Sequence, residues 1–456
     1  MKFTTTILFS ILSSLITNTQ ASCTFDGGNY YCSETSKIIY KNIGFSGSYQ
    51  DVTNMNEITG KCTQETFSFN GNLSPLDEEL SVHFRGPLKL KQFGVYYPST
   101  TSQNNKKRDD EDCNIQHFHH KHKRATEIVQ VTQTVFVDGN GNLVTSQQTS
   151  IATEQPQQES SVVAPAVESA IETAVQGKAY RSLSTKSAPT TTSSTSTAST
   201  SSSSSSTESS SPSGSWERSS YYTPGSADNC VFLNYHGGSG SGIWSSVFGN
   251  SLSYANSDNS GGSSSPIALA DVTIGSNNEF VIMSGSKCDS SCGYYREGSV
   301  AHHGFGGKFK IFIFEFEMPS DNSGAGFNVD MPAIWLLNAK IPRTLQYGDS
   351  SCSCWKTGCG ELDLFEILSS GSNKLISHLH DGQGTGILNT NNGGGGSQDY
   401  FVRPSSGSSL KAAVIFNNDE IHIIQVDDST NFGDSLDENT VNGWLEQSGS
   451  IATIGY

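Results

Sequence analysis

The chain has 456 residues, enough for two or three domains of about 150 residues and for a sizeable core. Its 27 Lys and Arg against 44 Asp and Glu leave a net charge of −17, which argues against a phosphate-binding surface and so against nucleic-acid partners. Only 34% of residues are hydrophobic and 45 are Gly, so some stretch must stay outside any core; the ten Cys, an even number, suit a secreted chain with disulfides.

The N-terminus reads as a signal peptide over residues 1–21. Lys2 precedes the apolar run Ile7 to Ile16, which is too short to span a bilayer, and Thr19-Gln20-Ala21 offers a small-x-small cleavage site. No later run reaches about 18 apolar residues, so no membrane span is expected. The end of the sequence lacks the apolar tail of a glycolipid anchor.

Residues 22–105 predict a small β-rich domain. Ile38 to Asn42 and Leu80 to Arg85 are short, β-branched or aromatic, and bounded by turn residues, while Leu88 to Val95 alternates with period two. Over residues 106–124 come two basic clusters, Lys106-Lys107-Arg108 and Lys121-His122-Lys123-Arg124. Exposed paired bases of this kind resemble kexin-type processing sites, the one ending at Arg124 being the stronger. His117, His119, His120 and His122 lie between them. A His-rich tract can bind metal, but no Cys or carboxylate spacing completes a site, which favours a solvated linker.

Residues 125–220 read as a disordered linker. Every position from 190 to 207 except Ala198 is Ser or Thr, which buries too little to offset chain entropy and suits an O-glycosylated stalk. The one N-glycosylation sequon is Asn72-Leu73-Ser74, followed by Pro75.

From 221 to 456 the apolar runs are short and β-rich, as in Phe309 to Phe316, Ala412 to Phe416 and Ile421 to Val426, with Gly, Asn, Asp and Ser between them. This predicts an all-β antiparallel sandwich or jelly roll. Cys352, Cys354 and Cys359 could ligate zinc, but no His joins them at ligand spacing and the compartment is oxidising. Disulfides bracing the following segment are expected, and Cys288 with Cys292 can close a small loop. Neither a metal nor another cofactor is expected.

That following segment, Gly360-Glu-Leu-Asp-Leu-Phe-Glu-Ile-Leu368, carries the chemistry. On a strand Glu361 and Asp363 share one face while Leu362 and Leu364 enter the core. An acidic row inside a sheet is costly unless its face is wet or functional; an edge strand with gatekeeper carboxylates is the other reading. Glu366 has the wrong parity for the row. A β-bulge near Leu364 or Phe365 would restore it, and would also shorten the roughly 16 Å that five straight strand steps put between the two Glu Cα atoms.

The order of segments strengthens the functional reading. Phe305 to Pro319, then Met331-Pro-Ala-Ile-Trp-Leu-Leu337, then the acidic strand, resembles glycoside hydrolase family 16, the β-jelly-roll glucanases with a Glu-x-Asp-x-(x-)Glu signature. Trp355 before the motif and Ser377-His-Leu-His380 after it resemble the family's flanking Trp and His strand. Two departures stand out. Met331 occupies the place of a Trp that stacks on sugar. The segment Val231 to Trp244, similar to the family's last strands, opens the domain instead of closing it, as a circular permutation would arrange.

With the N-terminal region and the linker, the chain resembles the fungal cell-wall family of probable circularly permuted 1,3-β-glucanases. The resemblance implies a concanavalin-like jelly roll and a retaining endo-1,3-β-glucanase secreted to the cell wall, with β-1,3-glucan as its partner. Glu361 would be the nucleophile, Glu366 the general acid and base, and Asp363 the group between them. Trp335, Trp355 and Trp244 are candidate sugar platforms; Asn234 and His380 are candidate ligands of sugar hydroxyls. A glucan transglycosylase and a non-catalytic glucan-binding wall glycoprotein are the alternative readings.

Overall fold

The computed structural model describes residues 23–26, 29–99, 214–323, 326–383 and 393–454. The expected signal peptide, the basic clusters ending at Arg108 and Arg124, Cys113 and nearly all of the Ser/Thr-rich linker lie outside the described residues.

Alternating aromatic and β-branched residues form strands where that pattern predicts them: Lys37–Lys41, Leu80–Arg85, Lys89–Pro98, Phe309–Glu317, Leu410–Asn417 and Glu420–Gln425. They assemble into two large sheets. The first runs Gly262–Ser263, Ser253–Ala255, Cys230–Asn234, Glu279–Ser284, Leu80–Arg85, Ala333–Asn338, Glu361–Glu366, Lys374–His380, Gly394–Gly396, with Phe401–Val402 also paired to Lys374–His380. The second is centred on Lys89–Pro98, Phe309–Glu317 and Leu410–Asn417, with Lys37–Lys41 near one edge. All pairings in these two sheets are antiparallel except that of Ser450–Thr453 with Lys37–Lys41.

The inward faces share one core. Val82, Phe84, Leu362 and Leu364 of the first sheet meet Phe93, Phe312, Phe314, Val414 and Phe416 of the second. Burial of such aromatic and aliphatic side chains, about 1.5–3 kcal/mol each, is what holds the layers together. On the outer face of the second sheet Ile311, Ile313 and Ile415 pack under Val441 and Trp444 of the helix Glu438–Glu446.

The described part of the N-terminal region is β-rich: Leu80–Arg85 joins the first sheet, Lys37–Lys41 and Lys89–Pro98 join the second, and Thr24–Asp26 with Asn29–Tyr31 and Ser46–Met55 with Cys62–Asn70 form two separate hairpins. Leu80–Arg85 lies between Glu279–Ser284 and Ala333–Asn338, in the middle of the first sheet. Residue 105 therefore separates two stretches of chain that share a single core. At the other junction the first strand after the linker, Trp216–Thr223, joins the second sheet a few residues before the expected start at 221.

Among the described residues four disulfides form: Cys23–Cys32, Cys62–Cys352, Cys288–Cys292 and Cys354–Cys359, with Cys230 free and buried. The small loop from Cys288 to Cys292 is closed as expected. No helix among the described residues is long and apolar enough to cross a membrane.

Candidate active site

The acidic strand carries the expected bulge. Against Ala333–Asn338, Ile334 faces Phe365 and Trp335 faces Asp363, so Leu364 is the extra residue. Against Lys374–His380, Asp363 faces His378 and Glu366 faces Ile376. Leu362, Leu364 and Phe365 are all fully buried in the core between the sheets, whereas Glu361 and Glu366 are partly exposed. One additional residue thus puts Glu366 on the face of Glu361 and Asp363.

A bulge interrupts the backbone ladder, and beside it the Asp363 carbonyl accepts from the Ser377 hydroxyl at 2.5 Å. Tyr40, from the N-terminal region, lies 2.9 Å from that same hydroxyl oxygen. Gly360, with φ of 107°, turns the chain into the strand in a conformation that a side chain would strain.

The row is densely wired. Trp355 Nε1–H donates to Glu361 at 2.5 Å, and the Cys354–Cys359 disulfide clamps the turn that carries Trp355. His380 Nε2 lies 3.5 Å from Asp363. An oxygen of Asp363, an oxygen of Glu366 and a ring nitrogen of His378 lie within 4.8 Å of one another. Arg85 reaches in from the centre of the sheet: its Nη2 is 3.1 Å from Glu366, and its Nε donates to the Met331 carbonyl at 2.8 Å. Trp335 lies beside this pair, with the His83 ring stacked at 5.2 Å and the Arg85 guanidinium 5.8 Å from its centroid.

Crowding sets the protonation states. Burial, then the charge of Asp363, pushes Glu361 up to about 7 against the pull of His380, Trp355 and Arg85. Burial and Glu366 push Asp363 up to about 6. Glu366 is also raised, by burial and by Glu361, with Arg85 opposing. Burial works against a charge on His380, but Asp363 and the two glutamates outweigh it and lift the imidazole to about 9. Burial and the neighbouring His380 lower His378 to about 4. The face therefore sets three carboxyls with raised pKa values beside Arg85 and a His380 that favours its charged form, an arrangement that can keep one carboxyl protonated while another is ionised.

The residues predicted for the site separate into two groups. Glu361, Asp363, Glu366, Trp355, Trp335 and His380 come together. Trp335 is only 5% exposed, packed by His83 on one side. Asn234 is a correction. It sits with the parity of Phe232, a core residue, and its amide is used internally, donating to Asn259 and Gly261 and accepting from Ser253. At 1% exposed and so bonded, the side chain is not presented to a sugar. Trp244 is 60% exposed on the small hairpin formed by Trp244–Ser245 and Gly249–Asn250, outside the first sheet. Met331 packs its side chain against the core and gives its carbonyl to Arg85.

Arg85, His83, His378 and Tyr31 were not anticipated. Tyr31 is buried with an unpartnered hydroxyl, and Glu366 contributes to raising its pKa behind the effects of burial and Asp26. The signal for the first two was in the sequence, since Leu80-Ser-Val-His-Phe-Arg85 alternates and puts His83 and Arg85 on one face. Assigning that strand to a separate domain hid its neighbours.

The N-terminal hairpin Ser46–Met55 with Cys62–Asn70 closes one side. Tyr49 and Phe69 pack with Trp335, Leu337 and the Cys354–Cys359 bridge, and the Cys62–Cys352 disulfide ties the hairpin to the loop before the acidic strand.

Comparison with known proteins places this geometry in a family. Residues 214–444 match the C-terminal model, and residues 36–98 the N-terminal model, of cell wall protein YJL171C/Tos1. The chain is 65% identical to a Candida albicans protein named probable circularly permuted 1,3-beta-glucanase TOS1, with all of both chains covered. It is 54% identical, over 99% of each chain, to the Saccharomyces cerevisiae protein of the same name. A Schizosaccharomyces pombe protein, also named a probable circularly permuted 1,3-beta-glucanase, is 40% identical over 95% of each chain. No solved structure gives a significant match. Both halves of the sandwich are thus accounted for by one set of relatives, and the chain belongs to the Tos1/YJL171C family of cell wall proteins.

Proposed function

We propose that this protein is a secreted 1,3-β-glucanase of the fungal cell wall, cleaving internal β-1,3-glucosidic bonds with retention of configuration and so remodelling wall glucan. The observation that carries the reading is the bulge at Leu364, which sets three carboxyls on one face of one strand beside Trp355 and Arg85.

Glu361 is the nucleophile: in the protonation state of the cluster in which Glu361 is ionised and Glu366 holds the proton, its carboxylate attacks the anomeric carbon while Glu366 protonates the departing glycosidic oxygen, leaving a glycosyl ester on Glu361. Trp355 Nε1–H orients the attacking carboxylate. Asp363, between the two glutamates, repels negative charge on either and so helps hold the proton on Glu366, and His380 balances the charge of the cluster. Water activated by Glu366 then releases the sugar; a glucan hydroxyl in place of water would give transfer.

Incubation of the secreted protein with β-1,3-linked oligosaccharides, beside Glu361→Gln, tests the proposal by mass spectrometry of the products. Shorter products from the wild type alone support hydrolysis, and products longer than the input indicate transfer. Equal inertness of the two proteins with retained glucan binding would establish a non-catalytic wall protein.

A further inference from the structure

Two carboxyls suffice for retaining hydrolysis, yet Glu366 is also paired with a fixed cation. Arg85 is held from two sides, by the Met331 carbonyl at 2.8 Å and by Glu366 at 3.1 Å, and its side chain is only 12% exposed. Glu279 stands opposite it on the next strand, with a carboxylate oxygen that accepts from the Tyr347 hydroxyl at 2.7 Å. The other ionisable groups around Glu366 are Glu361 and Asp363 on its own strand, His378 and His380 on the neighbouring strand, and Tyr31 at the end of the strand Asn29–Tyr31.

A guanidinium here opposes the first task of Glu366 and favours its second. As an acid, Glu366 must keep its proton, and burial with the negative charge of Glu361 maintains it. Once Glu361 becomes a neutral ester that charge is gone, while Arg85 remains 3.1 Å away. We infer that Arg85, contributed by the N-terminal region to the centre of the sheet, is the positioning residue that turns Glu366 from acid into base for release of the glycosyl-enzyme. In that step water adds to the anomeric carbon, its proton passes to Glu366, and the bond to Glu361 breaks with its electron pair returning to the carboxylate. The inference rests on the retaining reading of the same site. It also gives residues 36–98 a place in the chemistry, because the charged partner of Glu366 comes from them.

The test is pre-steady-state kinetics of the full-length protein with an aryl β-laminaribioside carrying a dinitrophenyl leaving group, which needs little acid assistance. In Arg85→Gln the first release of dinitrophenol should stay within about threefold of wild type. The following steady state should fall about tenfold or more, giving a burst stoichiometric with enzyme and a glycosylated protein mass. Raising the pH should restore the slow phase, since it removes the proton that Arg85 no longer displaces. Arg85→Lys, which keeps the charge, should return most of the steady-state rate, and it carries the test if Arg85→Gln does not fold. Equal slowing of both phases in the variants, with no accumulated glycosyl-enzyme, would overturn the inference and reduce Arg85 to a packing role. A wild type that releases no dinitrophenol would overturn the retaining reading itself.

Discussion

Replacing Asp363 by Asn removes one negative charge from the acidic row with almost no change of shape. The nearest oxygens of Asp363 and Glu366 lie within 4.8 Å. Two unit charges at that distance in an effective dielectric of about 20 repel by about 3.5 kcal/mol, or about 2.5 pKa units. Arg85 and His380 offset part of this field, so a net fall of about one unit is expected for the carboxyl that carries the catalytic proton. The sign follows from charge: without Asp363, Glu366 surrenders its proton more readily, and the alkaline limb of the rate profile moves to lower pH. His380 loses its hydrogen-bond partner and should titrate below its present value of about 9. The assay is kcat/KM against pH on a β-1,3-linked oligosaccharide. An alkaline limb that stays in place, with activity otherwise intact, would refute the electrostatic coupling on which the role of Asp363 depends.

Other outcomes follow from the same geometry. Glu366→Gln should cut hydrolysis of unactivated glucan by roughly 10²–10⁴-fold, while aryl glycosides with good leaving groups lose far less in their first step, as stopped-flow release of the aryl group would record. Removing the Cys62–Cys352 bridge by paired Ala substitution frees a sequence separation of 290 residues in the unfolded chain. The expected cost is about 3–5 kcal/mol, seen as a fall of about 10 °C in Tm by calorimetry. Stability should also decline from pH 5 to pH 8. Glu361 is raised to about 7 in the folded chain, so the penalty for ionising it accrues as pH rises from the ordinary carboxyl value towards 7. His380 is raised to about 9, so its stabilisation is complete below its ordinary value and is lost as pH rises through 9. Glu361→Gln should flatten the first part of that decline in a Tm series.

Much of this architecture was legible because alternation is a local signal. Phe309 to Phe316 and Ile421 to Val426 read as strands from their own residues, and the parity of Glu361, Asp363 and Glu366 required a bulge before any coordinates. Strand neighbours are a different matter. Nothing in Leu80 to Arg85 says that it pairs with Glu279–Ser284 on one side and Ala333–Asn338 on the other, since the contacts that decide this are separated by about 200 residues or more of chain. Arg85 and His83 were therefore visible as one polar face without a site to face. Asn234 was a candidate only through the resemblance of its segment to the family's last strands, whereas strand parity sends it inward to Asn259 and Ser253. The pairing of Cys62 with Cys352 was one of several that composition alone allowed.

A retaining mechanism requires a covalent bond to Glu361. A 2-deoxy-2-fluoro laminaribiosyl fluoride should inactivate the protein by accumulating the glycosyl ester, and peptide mapping by mass spectrometry should find the added disaccharide on Glu361 alone, with none in Glu361→Gln. Label on Glu366, or no label at all from a protein that hydrolyses glucan with inversion of the anomeric centre, would contradict it.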